Sequence, residues 1–341
     1  MTATVVRARA AGLPPSAPPA PRRVARGAVG ADRIFAVGTR TIGGTVLAIT
    51  GGIGLFLAIQ AFPTLDRYGV GFLTETQWQP ESDTLGIASV LAGTATVALV
   101  AIVLAFPLGL ATALYISEYA PLRIKGVLVS SVDLMAAVPS IIYGLWGYLL
   151  LMPHAARIAR FLHAYLGWIP VFDVSTDPHA AVWAQTRYTS SAFIAGIAVA
   201  MMVLPMAAAV MREVFSQAPL GEREGALALG ATRWGVVRTV VLPFGKGGII
   251  GGTMLGLGRA LGETIAVLLI ISPSFDLKFR PLEIGTQTIS ALIAGRFSEA
   301  SEAQLSALLT AGLVLFLITL VINTLAAVVV SRSRSGAGTD I

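Results

Sequence analysis

The chain has 341 residues, of which 55% are hydrophobic and only 12% are charged, with a formal net charge of +6 at pH 7. In soluble domains roughly a quarter of all residues are charged. This composition therefore excludes an ordinary soluble protein and, with a mean hydropathy of +0.78, indicates an all-α polytopic membrane protein. The sequence contains no cysteine, which excludes disulfides and thiolate metal sites. Because His154, His163 and His179 lack metal-ligand spacing, we expect neither a metal nor a cofactor.

The first 32 residues are rich in Ala, Pro and Arg, with the run AGLPPSAPPAPRR at their centre. Proline at this density opposes a packed helix, so we expect residues 1–32 to form a disordered basic tail. It does not resemble a cleavable signal, because no apolar run of about 7–15 residues closely follows the early arginines. We assign residues 33–331 to a membrane domain and residues 332–341 to a second tail.

Six apolar segments follow along the chain, and each is long enough to cross a hydrocarbon core of about 30 Å. The sequence therefore predicts six transmembrane helices. They cover about residues 41–62, 85–116, 127–152, 191–211, 247–271 and 303–330. Pro107, Pro139 and Pro205 lie inside these segments and predict kinks, which neighbouring helices tolerate in a membrane bundle.

The longest predicted loop, residues 153–190, contains a further helical pattern. Its apolar residues recur three and four positions apart, which predicts an amphipathic helix. These residues are Ile158, Phe161, Leu162, Tyr165 and Leu166.

The distribution of basic residues predicts the orientation of the chain. Six crossings place the N-terminus, residues 117–126, residues 212–246 and the C-terminus on one side. That side holds 16 of the 24 Lys and Arg residues, whereas the opposite loops hold seven, together with ten acidic residues. Since positively charged loops stay in the cytoplasm, both termini are predicted to be cytoplasmic. The basic character thus reports topology, and nucleic-acid binding is not needed to explain it.

Residues 212–246, hereafter the charged segment, lie between two apolar runs and have the pattern of two short helices. Residues 222–228 favour a helix, and Gly230 then permits a positive φ at a sharp turn. A second helix is predicted to begin near Thr232 and to end before Pro243, which sets the entry angle of the fifth span.

The charged segment resembles the signature of ABC-transporter permease subunits. That signature is Glu-Ala-Ala, three residues, Gly, nine residues, then Ile-x-Leu-Pro. The matching residues here are Glu224, Gly225, Ala226, Gly230, Val240, Leu242 and Pro243, with departures at Gly225 and Val240. The resemblance implies a type I ABC importer permease fold. It also implies that residues 224–230 form a coupling helix, which docks into a cleft of a cytoplasmic ATPase subunit.

A closer resemblance covers about residues 33–331. The stretches AAVPSIIYGLWG, MMVLPMAAAVMREVF, REGALALGATRW and GLGRALGETIAV are similar to the PstC-type permease of bacterial phosphate importers. The sister PstA type is similar in design, but VPSIIYGLWG and LPMAAAVMREVF favour the PstC type. This resemblance implies the membrane-spanning subunit of an ATP-driven phosphate importer in the bacterial plasma membrane. The implied partners are a PstA-type second permease, two copies of a P-loop ATPase subunit and an extracytoplasmic phosphate-binding protein.

Two charged residues lie deep in the fifth predicted span. Arg259 and Glu263 are four residues apart, which places them on one face of a continuous helix. An ionised group at the membrane centre costs at least about 2.5–3 kcal/mol, so such groups usually face a pathway or a partner. A guanidinium group makes a planar, bidentate fork for oxyanions. We predict that Arg259 contacts phosphate transiently and that Glu263 is its partner when the path is empty. The alternative is an ion pair that holds two helices in register.

Asp133 lies in the third predicted span, about two turns from Lys125. It can act as a cap or an ion-pair partner near the membrane surface, or as a functional group of the path. The sequence leaves both interpretations open.

The glycines of the fifth span predict close helix packing, because small residues four apart let membrane helices approach. They are Gly248, Gly252 and Gly256, with a second pair at Gly258 and Gly262. The nearby run FGKGG lacks the spacing of a P-loop and its following Ser or Thr. The chain is therefore predicted not to be an enzyme, and ATP hydrolysis must come from a partner.

Two other functions stay open. A permease for sulfate, molybdate or an amino acid would keep the same coupling loop. A carrier or channel that works without an ATPase would leave the charged segment without an evident purpose.

Overall fold

Four long helices form the frame of the computed structural model, which describes residues 30–179 and 181–332. Each is long and apolar enough to cross a membrane. They are α1 (Gly30–Tyr68), α3 (Ala88–Leu114), α7 (Ala192–Ser216) and α14 (Glu302–Ser331).

Shorter helices join these four. They are α2 (Gly71–Thr74), α4 (Leu122–Ala137), α5 (Ser140–Trp146), α6 (Met152–Leu166), α8 (Leu220–Ala228), α9 (Arg233–Val236), α10 (Leu242–Phe244), α11 (Lys246–Gly262), α12 (Ile265–Ile270) and α13 (Ile289–Arg296).

Two further crossings are bent. Leu122–Ala137 and Ser140–Leu166 meet at 89°, and Arg233–Phe244 and Lys246–Gly262 meet at 67°. Each pair is together long and apolar enough to cross a membrane, which gives six crossings if each pair counts once. The predicted all-α membrane fold is confirmed.

The remaining regular structure is short. Three stretches are π-helical: Tyr115–Tyr119, Gly147–Leu151 and Val237–Val241. Three are 3-10 helical: Pro80–Ser82, Val182–Tyr188 and Phe297–Glu299. Strands β1 (Trp78–Gln79) and β2 (Thr84–Leu85) form an antiparallel hairpin in which Trp78 pairs with Leu85.

The chain divides into two compact units, Met1–Gly52 and Ile53–Ile341. The described part of the first unit is the start of α1. The second unit contains the other helices and both strands. The predicted tails lie outside the described residues except for residues 30–32, which already belong to α1, and Arg332, which follows α14.

Helices α3 and α7 pack along a ridge of small residues. Every fourth residue of α3 along this ridge is buried, and side chains four apart lie in one row on a helix surface. These residues are Val97, Ala101, Ala105, Gly109 and Ala113, whereas Gly93, one turn earlier in the same row, faces the backbone of Gln287. On the facing helix, a Cβ added at Gly196 would lie 2.5 Å from Val100 Cγ1, so the two helices approach too closely there for a larger residue.

Helix α11 packs on α7 through its glycines. A Cβ added at Gly248 would lie 2.5 Å from Val214 Cβ, and one at Gly256 would lie 2.5 Å from Val203 Cγ1. The predicted close approach is therefore confirmed for this row. The two glycines of the second pair differ in their surroundings. Gly258 faces Asn323 of α14, whereas nothing lies within 4 Å of a Cβ added at Gly262.

The third predicted span is not one straight helix. Proline lacks the N–H that a helix needs and disfavours helical dihedrals in the preceding residue. Val138 is accordingly extended, with ψ 129°, and a new helix begins at Ser140. The predicted amphipathic helix forms the last turns of Ser140–Leu166, with Ala156 and Ala159 buried and Phe161 exposed. By contrast, α3 and α7 continue through Pro107 and Pro205.

The loops before α7 and α13 are tied together by polar contacts. Arg280 pairs with Asp173 at 3.1 Å, and Ser175 donates to the buried carboxylate of Glu283 at 3.1 Å. His163 Nδ1 lies 2.8 Å from the Tyr188 hydroxyl, and burial raises the pKa of Tyr188. These contacts fix the loops at one end of the bundle.

The contact between α7 and α11 predicts the effect of a single methyl group. Gly248→Ala should lower the free energy of unfolding by about 1–3 kcal/mol. The cost of overpacking this tight contact is larger than the stability gained from the higher helix propensity of alanine. The thermal unfolding midpoint of the purified chain in detergent measures this. Gly126→Ala in α4 is the matched control, since nothing lies within 4 Å of its added Cβ. Equal midpoints for both variants would contradict the proposed packing role of Gly248.

Candidate functional site

The charged segment contains an exposed helix, α8, which follows the last turn of α7. Pro219 precedes α8 with φ −56°, and Glu222 lies in the first turn, where a negative charge complements the positive end of the helix dipole. No residue of α8 is buried. Glu224 and Gly225 are exposed, and the flanking Leu229 is 91% exposed. Leu227 is exposed as well, so two apolar side chains lie open together at the end of this charged helix.

Gly230 ends α8 in a Schellman turn. Its φ is +86°, as predicted, and its N–H donates to Leu227 O at 2.9 Å. The N–H of Ala231 donates to Ala226 O at 3.0 Å, which completes the paired bonds of this motif. Ala226 and Ala231 both pack against the same apolar cluster beneath the helix, so the turn fixes the direction in which the chain leaves α8.

Arg223 attaches α8 to two long helices. Its Nη1 lies 3.0 Å from Glu118 Oε2, in the π-helical turn that follows α3. Its Nη2 donates to Phe215 O at 2.6 Å, in the last turn of α7. Neither Arg223 nor Glu118 is predicted as a site residue from the sequence, because the two are 105 residues apart and belong to no common motif.

The second part of the charged segment is packed. The Thr232 side chain accepts a hydrogen bond from Gly235 N–H at 3.1 Å and so caps α9. Val236, Val240 and Val241 are buried in a cluster with residues of α3 and α7, and Val237 is buried as well.

The expected end of this second helix before Pro243 is wrong. The helical path runs through the π turn into α10, where Leu242 and Pro243 are partly buried. Pro243 is the second residue after the π turn, so its missing N–H falls where the hydrogen-bond pattern of the helix changes. The bend of 67° follows at Gly245, before α11 begins.

Arg259 and Glu263 do not share one continuous helix. Helix α11 ends at Gly262, and Glu263 is extended, with ψ 126°. The expected placement on one helix face is therefore wrong. Within the described part of the chain, no ion pair joins the two side chains. Glu263 is only 8% exposed and accepts a hydrogen bond from Ala266 N–H at 3.2 Å, whereas Arg259 is exposed.

The break in the fifth crossing explains how both charges are tolerated. Arg259 lies in the last turn of α11, where the helix dipole favours a cation, and Glu263 precedes α12, where it favours an anion. Helix α5 covers this break: a Cβ added at Gly144 would lie 2.8 Å from Ala266 Cα. Tyr143 of α5 is near enough to Arg259 for an electrostatic interaction. The break thus presents a guanidinium group that forms no ion pair with any carboxylate among the described residues, an arrangement suited to a transient anion contact.

Asp133 has a partner in α7. Arg212 Nη2 lies 3.8 Å from Asp133 Oδ1, so this pair links α4 to α7. Lys125 instead donates to Ser117 O at 3.3 Å. The structure therefore supports a helix-linking role for Asp133. No group of three or more His, Asp or Glu side chains with the geometry of a metal site occurs among the residues that the structure describes.

Comparison with protein families and known sequences gives consistent results. Residues 105–335 match the family described as "Binding-protein-dependent transport system inner membrane component". The chain is 38% identical over 309 residues to phosphate transport system permease protein PstC 2 of Mycobacterium tuberculosis, covering 89% of this chain and 93% of the relative. It is 34% identical over 308 residues to phosphate transport system permease protein PstC of Pasteurella multocida, covering 90% and 94%.

Solved structures show the same fold. A chain of a bacterial alginate ABC transporter, in complex with an alginate pentasaccharide-bound periplasmic protein, aligns with a TM-score of 0.55 and 17% identity, covering 88% of this chain and 93% of that one. A chain of the MetNI methionine ABC transporter in an inward-facing conformation aligns with a TM-score of 0.50 and 16% identity, covering 74% and 98%.

The turn at Gly230 predicts a position-specific effect of alanine. Gly230→Ala should destabilise the end of α8 by about 1–2 kcal/mol, because this is the conformational cost of a residue with a Cβ atom in the left-handed region. Hydrogen exchange of the backbone amides in residues 220–231 should become faster. Gly225→Ala is the matched control: it lies inside α8 with open space around it and should slow exchange, since alanine favours helix by about 1 kcal/mol. Unchanged exchange in Gly230→Ala would contradict the inferred strain.

Proposed function

The chain belongs to the binding-protein-dependent transport system inner membrane components, among the PstC-type permeases, and we propose that it forms half of the translocation path of an ATP-driven phosphate importer. The observation that carries this proposal is identity of 38% to a phosphate transport system permease over 89% of the chain. The predicted relationship and the predicted type I importer fold are both confirmed. The chain is a multi-pass membrane protein, and its function is transport.

The charged segment supplies the connection to an energy source. Helix α8 presents Glu224 and Gly225 at the surface, with Leu227 and Leu229 exposed beside them, as a surface for a cleft on an ATPase subunit. Its nine residues make a helix about 13 Å long, a suitable size for such a cleft. The Schellman turn at Gly230 joins α8 firmly to the packed second part of the segment, so a displacement of α8 moves α9 and α10 with it.

Motion of α10 reaches the path through α11. Leu242 and Pro243 lie at the start of α10, and the bend at Gly245 leads directly into α11. Arg259 lies thirteen residues after Lys246, about 20 Å along this helix. The ATPase surface and the proposed anion contact are thus the two ends of one stretch of chain.

Arg259 is the proposed phosphate contact. Its guanidinium group is exposed in this chain and lies at a helix break beside α5. A bidentate fork of N–H donors matches two phosphate oxygens. Glu263 contributes to the path by capping α12 and so holding the break that presents Arg259, rather than by pairing with Arg259 in this conformation.

The proposed orientation and partners follow from the same assignment. Both termini and the charged segment are cytoplasmic in the bacterial plasma membrane, because most basic residues lie on that side. A PstA-type permease supplies the other half of the path, and two copies of a P-loop ATPase subunit hydrolyse ATP. An extracytoplasmic phosphate-binding protein delivers the solute at the opposite face.

The decisive experiment is solute-dependent ATP hydrolysis by the assembled complex in proteoliposomes. With the binding protein present, inorganic phosphate should stimulate hydrolysis, whereas sulfate, molybdate and amino acids should not. Stronger stimulation by one of these other solutes would reassign the substrate within the same family. Uptake that persists without the ATPase subunit would instead favour an ATPase-independent carrier.

A substitution at Arg259 tests the path. Arg259→Gln should abolish uptake of labelled phosphate, a loss of about 100-fold or more, because it removes both the charge and the fork at the proposed contact. Arg259→Lys keeps the charge and should retain part of the uptake. Arg187→Gln is the control for the loss of a surface charge away from the break. Assembly of each complex is checked by co-purification, and normal uptake by Arg259→Gln would contradict the proposed role.

A further inference from the structure

Helix α8 is held on the side that faces the bundle by an ion pair that the family signature does not contain. Arg223 is 20% exposed and Glu118 is 10% exposed, so their contact at 3.0 Å is largely shielded from water. Shielding strengthens the electrostatic attraction between the two groups relative to a surface pair. The contact therefore fixes where the base of α8 lies.

Each side chain of this pair is held by a further bond. Glu118 Oε1 accepts from Ser117 Oγ at 2.6 Å, and Arg223 Nη2 donates to the Phe215 carbonyl at 2.6 Å. The Phe215 carbonyl also accepts from Ala218 N–H at 3.2 Å, so Arg223 adds a second, side-chain donor at the end of α7. The pair joins three elements at one point: α8, the end of α7 and the π-helical turn Tyr115–Tyr119.

The π-helical turn connects this point to α4. Only three residues separate Glu118 from Leu122, where α4 begins, and Lys125 of α4 donates back to Ser117 O at 3.3 Å. A displacement of Glu118 is thus passed to the start of α4 by a short chain segment and a hydrogen bond.

Helix α4 in turn leads to the break at Glu263. The 89° bend that follows α4 is bridged by the Tyr143 hydroxyl of α5, which donates to Met135 O of α4 at 2.8 Å. Helix α5 then contacts α12 where Gly144 meets Ala266, and Ala266 is the residue that Glu263 caps. A continuous set of contacts therefore links the base of α8 to the region of Arg259.

We propose that Arg223 and Glu118 are a positioning pair that carries displacement of α8 into α4 and α5, a second mechanical connection to the path besides the covalent one through α9, α10 and α11. The inference rests on the proposed docking of an ATPase subunit on α8. Neither residue touches phosphate or ATP; each acts through the helix that it holds.

A double-mutant cycle tests the pair in the reconstituted complex. Glu118→Gln is nearly isosteric and leaves the Arg223 bond to Phe215 O possible, so it breaks the ion pair with the least damage to the fold. Arg223→Gln breaks the same pair from the other side. The measured quantity is the ratio of ATP hydrolysed to labelled inorganic phosphate taken up, which a mere loss of folded complex does not change.

Each single variant should raise this ratio about tenfold, within the range typical of a coupling between two sites. The double variant Glu118→Gln with Arg223→Gln should raise it no further, because the second substitution removes an interaction already lost. Arg123→Gln, an exposed arginine at the start of α4, is the matched control and should leave the ratio unchanged.

An unchanged ratio in Glu118→Gln, or single effects that multiply in the double variant, would overturn the proposal. A wild-type complex without phosphate-stimulated ATP hydrolysis would overturn the proposed function itself. The two failures are distinguished by the wild-type complex, which lacks phosphate-stimulated ATP hydrolysis only if the proposed function is wrong.

Discussion

Close contact between helix backbones is the constraint on which the bundle depends. Lipid tails are as apolar as the side chains they surround, so membrane helices associate mainly through packing. The chain meets this condition with small residues four apart on α3 and with glycines on α11, which bring both helices against α7. Because these contacts leave no room for a methyl group at several positions, the three helices can shift only as packed bodies.

Interruptions of the helices are where the charged and functional groups lie. Inside a membrane an interrupted helix is tolerated only where the protein or a water-filled cavity satisfies its backbone. At the break after α11, the Glu263 carboxylate accepts the N–H of Ala266 and Arg259 occupies the last turn of the preceding helix. The break thus provides a partner for the N–H of Ala266, stabilises the charges of Glu263 and Arg259, and leaves Arg259 exposed.

The charged segment combines an open surface with a fixed base. Leu227 and Leu229 are free to contact another protein, while Arg223 and the turn at Gly230 hold the helix from below. The proposed docking role needs both properties, an exposed surface for a partner and a base that stays in place. The contacts of Arg223 extend this base to α7 and to the π turn Tyr115–Tyr119 that follows α3.

The sequence by itself determined the membrane class, the crossings, the turn at Gly230, the small-residue packing of α11 and the relationship to PstC-type permeases. Hydropathy, glycine spacing and local motifs are properties of neighbouring residues, so they can be recognised without knowing how helices pack. The tertiary structure decided the 89° bend after α4 and the break at Glu263, which removed the expected helix face shared with Arg259. Only the tertiary structure showed that Arg223 pairs with Glu118 and Arg212 with Asp133. Such pairs depend on which helices become neighbours, and the spacing of residues along the chain does not specify this.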